Sequence, residues 1–421
     1  MAILSQGFMR SVVFRNFTSL GLMQIANYIV PIIVIPYVAH VLGVEKFGIV
    51  SYAQNIAAYL TLLVNFGFDY TAARNIALNR DNKEKVNKIF WSVMTMKMVL
   101  FVVSLLLLWS YSAYNVRIET DPLLFFYAAL YNLGLLLFPN WYFQGIEKMG
   151  WISIINCIIK ILGAVLVFLF IHREGDYRLY VFLYSFSFII GGCWSLWHIF
   201  RHFPISVRYF SFGDKSLLKE SFPIFLNLSF SSVYSLFGIT FIGLYFTDYE
   251  VGIYSGGYRI IMAVVQVVTG SLTMALFPAI SRRFQNFEDG WRYFCRCLFV
   301  SGVGAACVSF LLLLFAPLAV KILLGSLYQS SIPVVQAMFL MPFLVTMSSL
   351  LTVQGIYGLR LQRFSPLIGI CCMLVSLCLN LYAVPKFGYY GAVASWAGAC
   401  IAESLLTVSF LLYYKRRRTN G

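Results

Sequence analysis

Twelve apolar stretches, each near or above the ~20 residues that a helix needs to cross ~30 Å of hydrocarbon, occupy roughly 17–42, 47–68, 89–113, 122–144, 150–171, 179–200, 221–246, 252–280, 298–316, 332–358, 364–384 and 391–413. Inside a bilayer every backbone N–H and C=O must find its partner within the protein, and a run of this length satisfies them only as a helix. The chain therefore reads as an all-α integral membrane protein with twelve transmembrane helices. Composition agrees, because 60% of its 421 residues are hydrophobic and 11% are charged, against ~25% charged in a soluble domain.

The connections carry the orientation. One alternate set holds Arg10, Arg15, Arg74, Arg80, Lys83, Lys85, Lys88, Lys148, Arg201, Arg208, Lys215, Lys219, Arg282, Arg283, Arg292, Arg296, Arg360, Arg363 and the tail from Lys415 to Arg418. The other set holds only Lys46, Arg117, Arg173, Arg178, Lys321 and Lys386, so the positive-inside rule places both termini in the cytoplasm. A net charge of +15 spread over seven segments in this way is a topology signal, and nucleic acid is not an expected partner. Arg10 and Arg15 precede an apolar run that reaches Leu42, far beyond the ~7–15 residues of a secretory signal core, so that run is the first span. The nine cysteines fall in spans or on the cytoplasmic side and lack metal-site spacing, so neither disulfide nor metal is expected.

The chain also repeats itself. Phe47 to Ile56 matches Val251 to Ile260 at four of ten positions, and each segment follows a long span and an outer loop with an acid, Glu45 or Glu250. Corresponding positions in two halves of like topology imply parallel repeats, dividing the chain into a lobe of helices 1–6 (residues 1–205) and a lobe of helices 7–12 (residues 206–421). Pro31, Pro36, Pro223 and Pro342 fall within spans, and Gly252 and Gly256 have GxxxG spacing. Kinks and close helix approach of this kind suit lobes that rock.

Three cations lie inside spans: Lys97, Lys160 and Arg259. Lys160 follows Gly150 by ten residues, about 15 Å of helix, which is the bilayer midplane. An insertion cost of about 2.5–3.5 kcal/mol requires a wet cavity or a partner there. Lys97 and Arg259 sit about two turns deep, where long side chains also reach the interface. Asn156 shares a helix side with Lys160, Met262 and Gln266 share one with Arg259, and Asn55, Tyr59, Phe66 and Asp69 form a stripe on the second span. Glu403 is the one acid deep in a span, beside the small-residue stripe Ala392, Ser395, Ala399. An ion pair is its expected role, and proton carriage the alternative. The first span carries Gln24 and Asn27 but no acid. More buried cations than acids select an anion, and a lipid-linked diphosphate sugar fits: cations receive the diphosphate, amides and aromatics the sugars, and the prenyl tail stays in lipid.

Five stretches carry a family resemblance: Leu42-Gly43-Val44-Glu45-Lys46-Phe47-Gly48, Phe66-Gly67-Phe68-Asp69-Tyr70 leading to Ala73-Arg74, Pro139-Asn140-Trp141-Tyr142-Phe143-Gln144-Gly145-Ile146-Glu147-Lys148, Tyr258-Arg259-Ile260, and the proline-bearing first span. With these the whole chain resembles the Wzx-type oligosaccharide flippases of the multidrug/oligosaccharidyl-lipid/polysaccharide exporter superfamily. The resemblance implies two six-helix lobes, alternating access, and an undecaprenyl-diphosphate-linked oligosaccharide moved from the inner to the outer leaflet of a bacterial cytoplasmic membrane. By motif it carries over Arg74 and Arg259 as recurring arginines and Asp69 as an Asn or Asp position. Lys97 and Lys160 stand on the residues alone.

The expected substrate contacts are thus Lys97, Lys160, Arg259, Arg74, Asn55, Asn156 and Gln266, with Glu403 and Asp69 as coupling groups. A monomer without cofactor is expected, in contact with membrane lipids and with other polysaccharide-assembly membrane proteins as candidate partners. Two other readings compete. A cation-coupled multidrug exporter needs intramembrane acids, which the first span lacks; a polysaccharide polymerase or glycosyltransferase needs an outer loop bearing acid/base groups, and no outer loop exceeds about ten residues.

Overall fold

The computed structural model describes the backbone of residues 2–359 and 361–419, with side chains from residue 29 onward save those at 274, 278, 363 and 419. Gln24 and Asn27, and the basic side chains of Arg10, Arg15, Arg360 and Arg363, lie outside the described residues. Among the described residues all regular structure is helical. In chain order come α1 (Ala2–Asn65), α2 (Phe68–Leu78), α3 (Lys83–Ser112), α4 (Val116–Thr120), α5 (Pro122–Leu137), α6 (Asn140–Gly145), α7 (Met149–Phe170) and α8 (Tyr177–His202). Then follow α9 (Lys215–Tyr245), α10 (Asp248–Arg283), α11 (Phe287–Leu323), α12 (Ile332–Ala337), α13 (Met341–Leu350), a π-helical segment (Leu351–Tyr357), α14 (Ser365–Phe387) and α15 (Tyr389–Thr419).

Among the described residues ten helices are long and apolar enough to cross a membrane, and up to eleven when Ser326–Ala337 and Met341–Tyr357, bent by 47°, count as one span. The difference from twelve arises at the start, where the stretches expected at 17–42 and 47–68 run on as one helix. Gly43 marks the join: with φ 69° and ψ 175° it leaves the helical region inside α1, a conformation that an L side chain would resist. The next interruption has the same cause in a less permissive residue, since Phe66 and Gly67 take φ values of 45° and 77°. The stripe expected from Asn55 to Asp69 is therefore cut, and Asp69 lies in the first turn of α2.

The chain divides into two compact units, Met1–Leu42 with Ala53–Leu228, and Gly43–Tyr52 with Ser229–Gly421. In the first unit the run from Pro139 to Lys148 builds a corner. Trp141, Tyr142 and Phe143 are buried against Phe90, with ring centroids of Phe90 and Trp141 5.6 Å apart and of Phe90 and Tyr142 5.5 Å apart. Arg80 closes the corner by donating to the Ile146 carbonyl at 3.0 Å and to Glu147 Oε2 at 3.1 Å. Edge-on aromatic pairs contribute about 0.5–1.5 kcal/mol each beyond their buried area, so this motif holds helices together.

In the second unit Thr247 and Glu250 form a reciprocal cap on α10, in which the Thr247 backbone N–H donates to Glu250 Oε2 at 3.2 Å. Glu250, the acid that precedes the second copy of the repeat, thus starts a helix. The two repeated segments meet here. A β-carbon at Gly48 would collide with the Asp248 carbonyl oxygen, and one at Gly252 with the Val44 carbonyl oxygen. Each glycine lies four residues after the carbonyl that the other approaches, so the contact is internally two-fold. A core around Phe284, Phe294, Leu351, Ile356 and Leu411 closes the far end of this unit.

Candidate functional site

Among the described residues the charged groups expected inside the spans stand apart from one another, Lys97 and Lys160 in the first unit and Arg259 and Glu403 in the second. In the first unit Lys97, fully buried on α3, donates to Asp69 Oδ1 at 2.9 Å and to Asn65 Oδ1 at 3.2 Å. Lys97 and Asp69, expected to serve substrate and coupling, are therefore partners of each other. The pair is paired and hydrogen-bonded as a buried charge must be. Arg74, one turn further along α2, is at the surface with a side chain 72% exposed, 3.7 Å from Glu220. Glu220 also accepts from Asn75 Nδ2 at 2.9 Å.

Lys160 is different. The sequence of α7 sorts its residues into three sectors at helical spacing. Ile152, Ile155, Ile159 and Gly163 are buried, and Ile159 and Gly163 meet Gly191 and Ser187 of α8. Ile154, Ile158, Ile161 and Val165 are exposed on the opposite side, as lipid-facing residues are. Asn156 and Lys160 form the third sector, both half-buried. Among the described residues no carboxylate pairs with Lys160, and the Asn156 amide oxygen is buried with no hydrogen-bond partner. The cation and the acceptor stand one turn apart on one face, and the buried amide oxygen carries a desolvation penalty that a ligand can relieve.

In the second unit Arg259 stands in the repeated segment. Its guanidinium lies 4.9 Å from the centroid of the Phe47 ring, and Nη2 donates to Ser51 Oγ at 3.3 Å. Phe47 in turn meets Tyr328 edge-on at 5.9 Å, and the Tyr328 hydroxyl donates to the Gly43 carbonyl at 3.2 Å. The carbonyl released by the helix break is thus satisfied by a tyrosine beside Arg259. Gln266, two turns on along α10, is exposed. Asn55 is buried on α1 within the first unit.

Glu403 corrects an expectation. Instead of a cation it has hydroxyls: it accepts from Tyr234 at 3.2 Å and from Thr352 Oγ1 at 3.1 Å. Among the described residues no ion pair reaches it. The neighbouring Ala392, Ser395 and Ala399 are buried and bring α15 close to its neighbours. Thr352 is supplied by the π-helical segment, a local widening that often marks a functional position. Tyr234 and Thr352 carried no signal in the sequence, whereas Phe47 and Ser51 lie inside the repeat that pointed to Arg259.

Comparison with known proteins supplies the kinship. The family model described as "Polysaccharide biosynthesis protein" matches residues 13–284. A relative from Escherichia coli (strain K12), named "Putative O-antigen transporter", is 28% identical over 395 residues, covering 93% of this chain and 95% of its own. A relative of the same name from Shigella dysenteriae is 28% identical over 401 residues, covering 94% and 98%. Among solved structures, an inward-facing multidrug resistance MATE family transporter of the MOP superfamily superposes with a TM-score of 0.74 at 15% identity, covering 94% of this chain and 95% of that one. A MOP superfamily transporter from Pyrococcus furiosus, whose title describes a binding pocket of reverse polarity, superposes at 0.62 and 15% identity, covering 96% and 94%. The fold is therefore that of MATE-like transporters. Ten or more apolar helices make the chain a multi-pass protein of the bacterial cytoplasmic membrane, and its named relatives are transporters, not enzymes. With the family model spanning well over half its length and the Wzx-type motifs in place, this chain belongs to the polysaccharide biosynthesis protein family.

Proposed function

We propose that this protein is a flippase that carries an undecaprenyl-diphosphate-linked oligosaccharide from the cytoplasmic to the outer leaflet by alternating access. Kinship along nearly the whole chain to proteins named as O-antigen transporters carries this reading. In it, the run Ile29–Leu78 holds two crossings parted at Gly43 and the bent pair holds one, which brings the spans to twelve with both termini cytoplasmic. Residues 1–205 and 206–421 are then the two lobes.

Lys160 is the cation assigned to the diphosphate, and Arg259 is assigned to the substrate as a contact of its own unit; their neighbours, an amide for the first and a hydroxyl and a ring for the second, suit cations kept for an anion. Asn156, Asn55 and Gln266 contact sugar hydroxyls. Lys97 with Asp69, and Arg74 with Glu220, have partners of their own and act by holding helices. Glu403, cradled by hydroxyls, is the group through which a proton would couple; flipping that stays normal in Glu403→Gln removes that route. An uphill step is not required, because consumption of the unit on the far side draws net flow by mass action.

The decisive measurement is the pool of lipid-linked oligosaccharide and the surface polysaccharide in a deletion strain, with and without the protein restored. Accumulation of a finished, untransferred unit, reversed on restoration, is the expected result. A normal pool with normal polysaccharide, together with drug resistance on expression, would instead identify a multidrug exporter.

A further inference from the structure

Beyond the polar groups inside the spans, a concentration of charge in the second unit lies where α10 ends and α11 begins. Arg282 and Arg283 close α10, and Asp289, Arg292, Tyr293 and Arg296 follow on the first turns of α11. These side chains line one cleft of about 590 Å³. Four guanidinium groups face a single carboxylate there, and that carboxylate is already engaged, with Arg292 Nη2 3.3 Å from Asp289 Oδ1. Arg283 is held in place by the Tyr293 ring, 3.6 Å from guanidinium carbon to centroid. The tail of α15 adds more positive charge alongside, with Lys415 over Trp291 at 5.1 Å and Arg418 over Phe287 at 4.8 Å.

Orientation alone asks only for basic residues on this side of the membrane, and splayed, solvated side chains would meet that need. These arginines converge instead on one space from two helices. Moreover, Arg292 and Arg296 continue along the same face of α11 into Phe299, Val300 and Val303, which are 72%, 63% and 50% exposed. Exposed apolar side chains of that size belong in hydrocarbon, so a single stripe leads from guanidinium groups at the polar boundary to a lipid-facing wall within about one turn. The occupant that matches both ends has a phosphate for the arginine forks and acyl or prenyl chain for the wall.

We propose that the cleft of Arg282, Arg283, Arg292 and Arg296 is a binding site for the phosphate headgroup of a membrane-anchored lipid, with the chains laid along Phe299 and Val303. The site is separate from the side chains assigned to transport; with a phospholipid as occupant it is independent of the transported species, and with a polyprenyl diphosphate it rests on the proposed function. A bilayer phospholipid and a polyprenyl diphosphate share this chemistry, and the experiment separates them.

The test is native mass spectrometry of the full chain in detergent, titrated in separate arms with phosphatidylglycerol, undecaprenyl diphosphate, phosphatidylcholine and inorganic phosphate. Wild type is compared with the Arg292→Gln/Arg296→Gln double variant and with Lys215→Gln/Lys219→Gln, which removes the same charge from exposed positions elsewhere. The cleft variant is expected to lose about tenfold of the binding of one anionic lipid, while the control variant keeps it. Loss in the phosphatidylglycerol arm identifies a phospholipid, and loss confined to the undecaprenyl diphosphate arm identifies a polyprenyl carrier. Equal retention by both variants, equal binding of phosphatidylcholine, or binding of inorganic phosphate without lipid preference would overturn the proposal. The substituted arginines are solvent-exposed, and unchanged thermal unfolding of the double variant verifies that folding is intact.

Discussion

Two lysines of the first unit sit inside apolar helices and have opposite surroundings. Lys97 on α3 is fully buried and neutralised by Asp69 at 2.9 Å, and it donates a second hydrogen bond to Asn65. Lys160 on α7 is half-buried, shares its face with an amide oxygen that has no partner, and meets no carboxylate among the described residues. Depth in the membrane is therefore a poor guide to function by itself. What distinguishes a structural cation from one kept for a ligand is whether the protein already supplies the opposite charge.

The comparison breaks or sharpens under substitution. The largest effect is expected from Lys160→Ala, which should lower surface polysaccharide at least tenfold at unchanged protein level, on the scale of about 2–5 kcal/mol for truncating one partner of a buried charge contact. Lys160→Arg should restore part of it. Normal polysaccharide in Lys160→Ala would put the two lysines in one class.

Lys97→Ala should act on stability instead, lowering it by about 2–3 kcal/mol, less than the ~3–5 kcal/mol of a fully buried pair because the Asp69 side chain is 36% exposed. The double variant Lys97→Met/Asp69→Leu should recover most of that loss in a detergent melt, together with transport, since well-packed apolar replacements of a buried pair are often neutral. A stable double variant without transport would show that Lys97 serves the substrate after all. Next in size, Gly48→Val should cost about 1–3 kcal/mol by overpacking against the Asp248 carbonyl, read as a fall in unfolding temperature and in accumulation. Asn156→Ala is expected to be the mildest, changing export a few-fold with stability retained, because the amide oxygen it removes has no partner to lose. Destabilisation there would mean that Asn156 holds α7 in place.

Much of this was legible in the sequence, because membrane burial writes itself into long apolar runs and the repeat exposes the segment that bears Arg259. Partners were not legible. Asp69 and Lys97 lie 28 residues apart, and only the turn at Phe66 and Gly67 brings the start of α2 beside α3, so two residues read as independent functional groups are one ion pair. The hydroxyls around Glu403 come from α9 and the π-helical segment, 169 and 51 residues away, and hydroxyl residues are too common in spans to mark themselves. The run from Pro139 to Lys148 is the clearest family motif in the chain, yet it forms an aromatic corner closed by Arg80. A distinctive string of residues can reflect a demanding piece of packing as readily as a binding role.

The contact between Gly48 and Gly252 has a consequence for how such a chain can change over generations. What each glycine meets is a main-chain carbonyl four residues before the other, and no exchange of side chains elsewhere can make a carbonyl smaller. A new β-carbon on one copy of the repeat has no compensating partner on the other, so the two copies cannot trade mutations at this point as they can wherever side chain meets side chain. Two segments this alike can diverge at the positions around the crossing and stay held to glycine where their backbones meet.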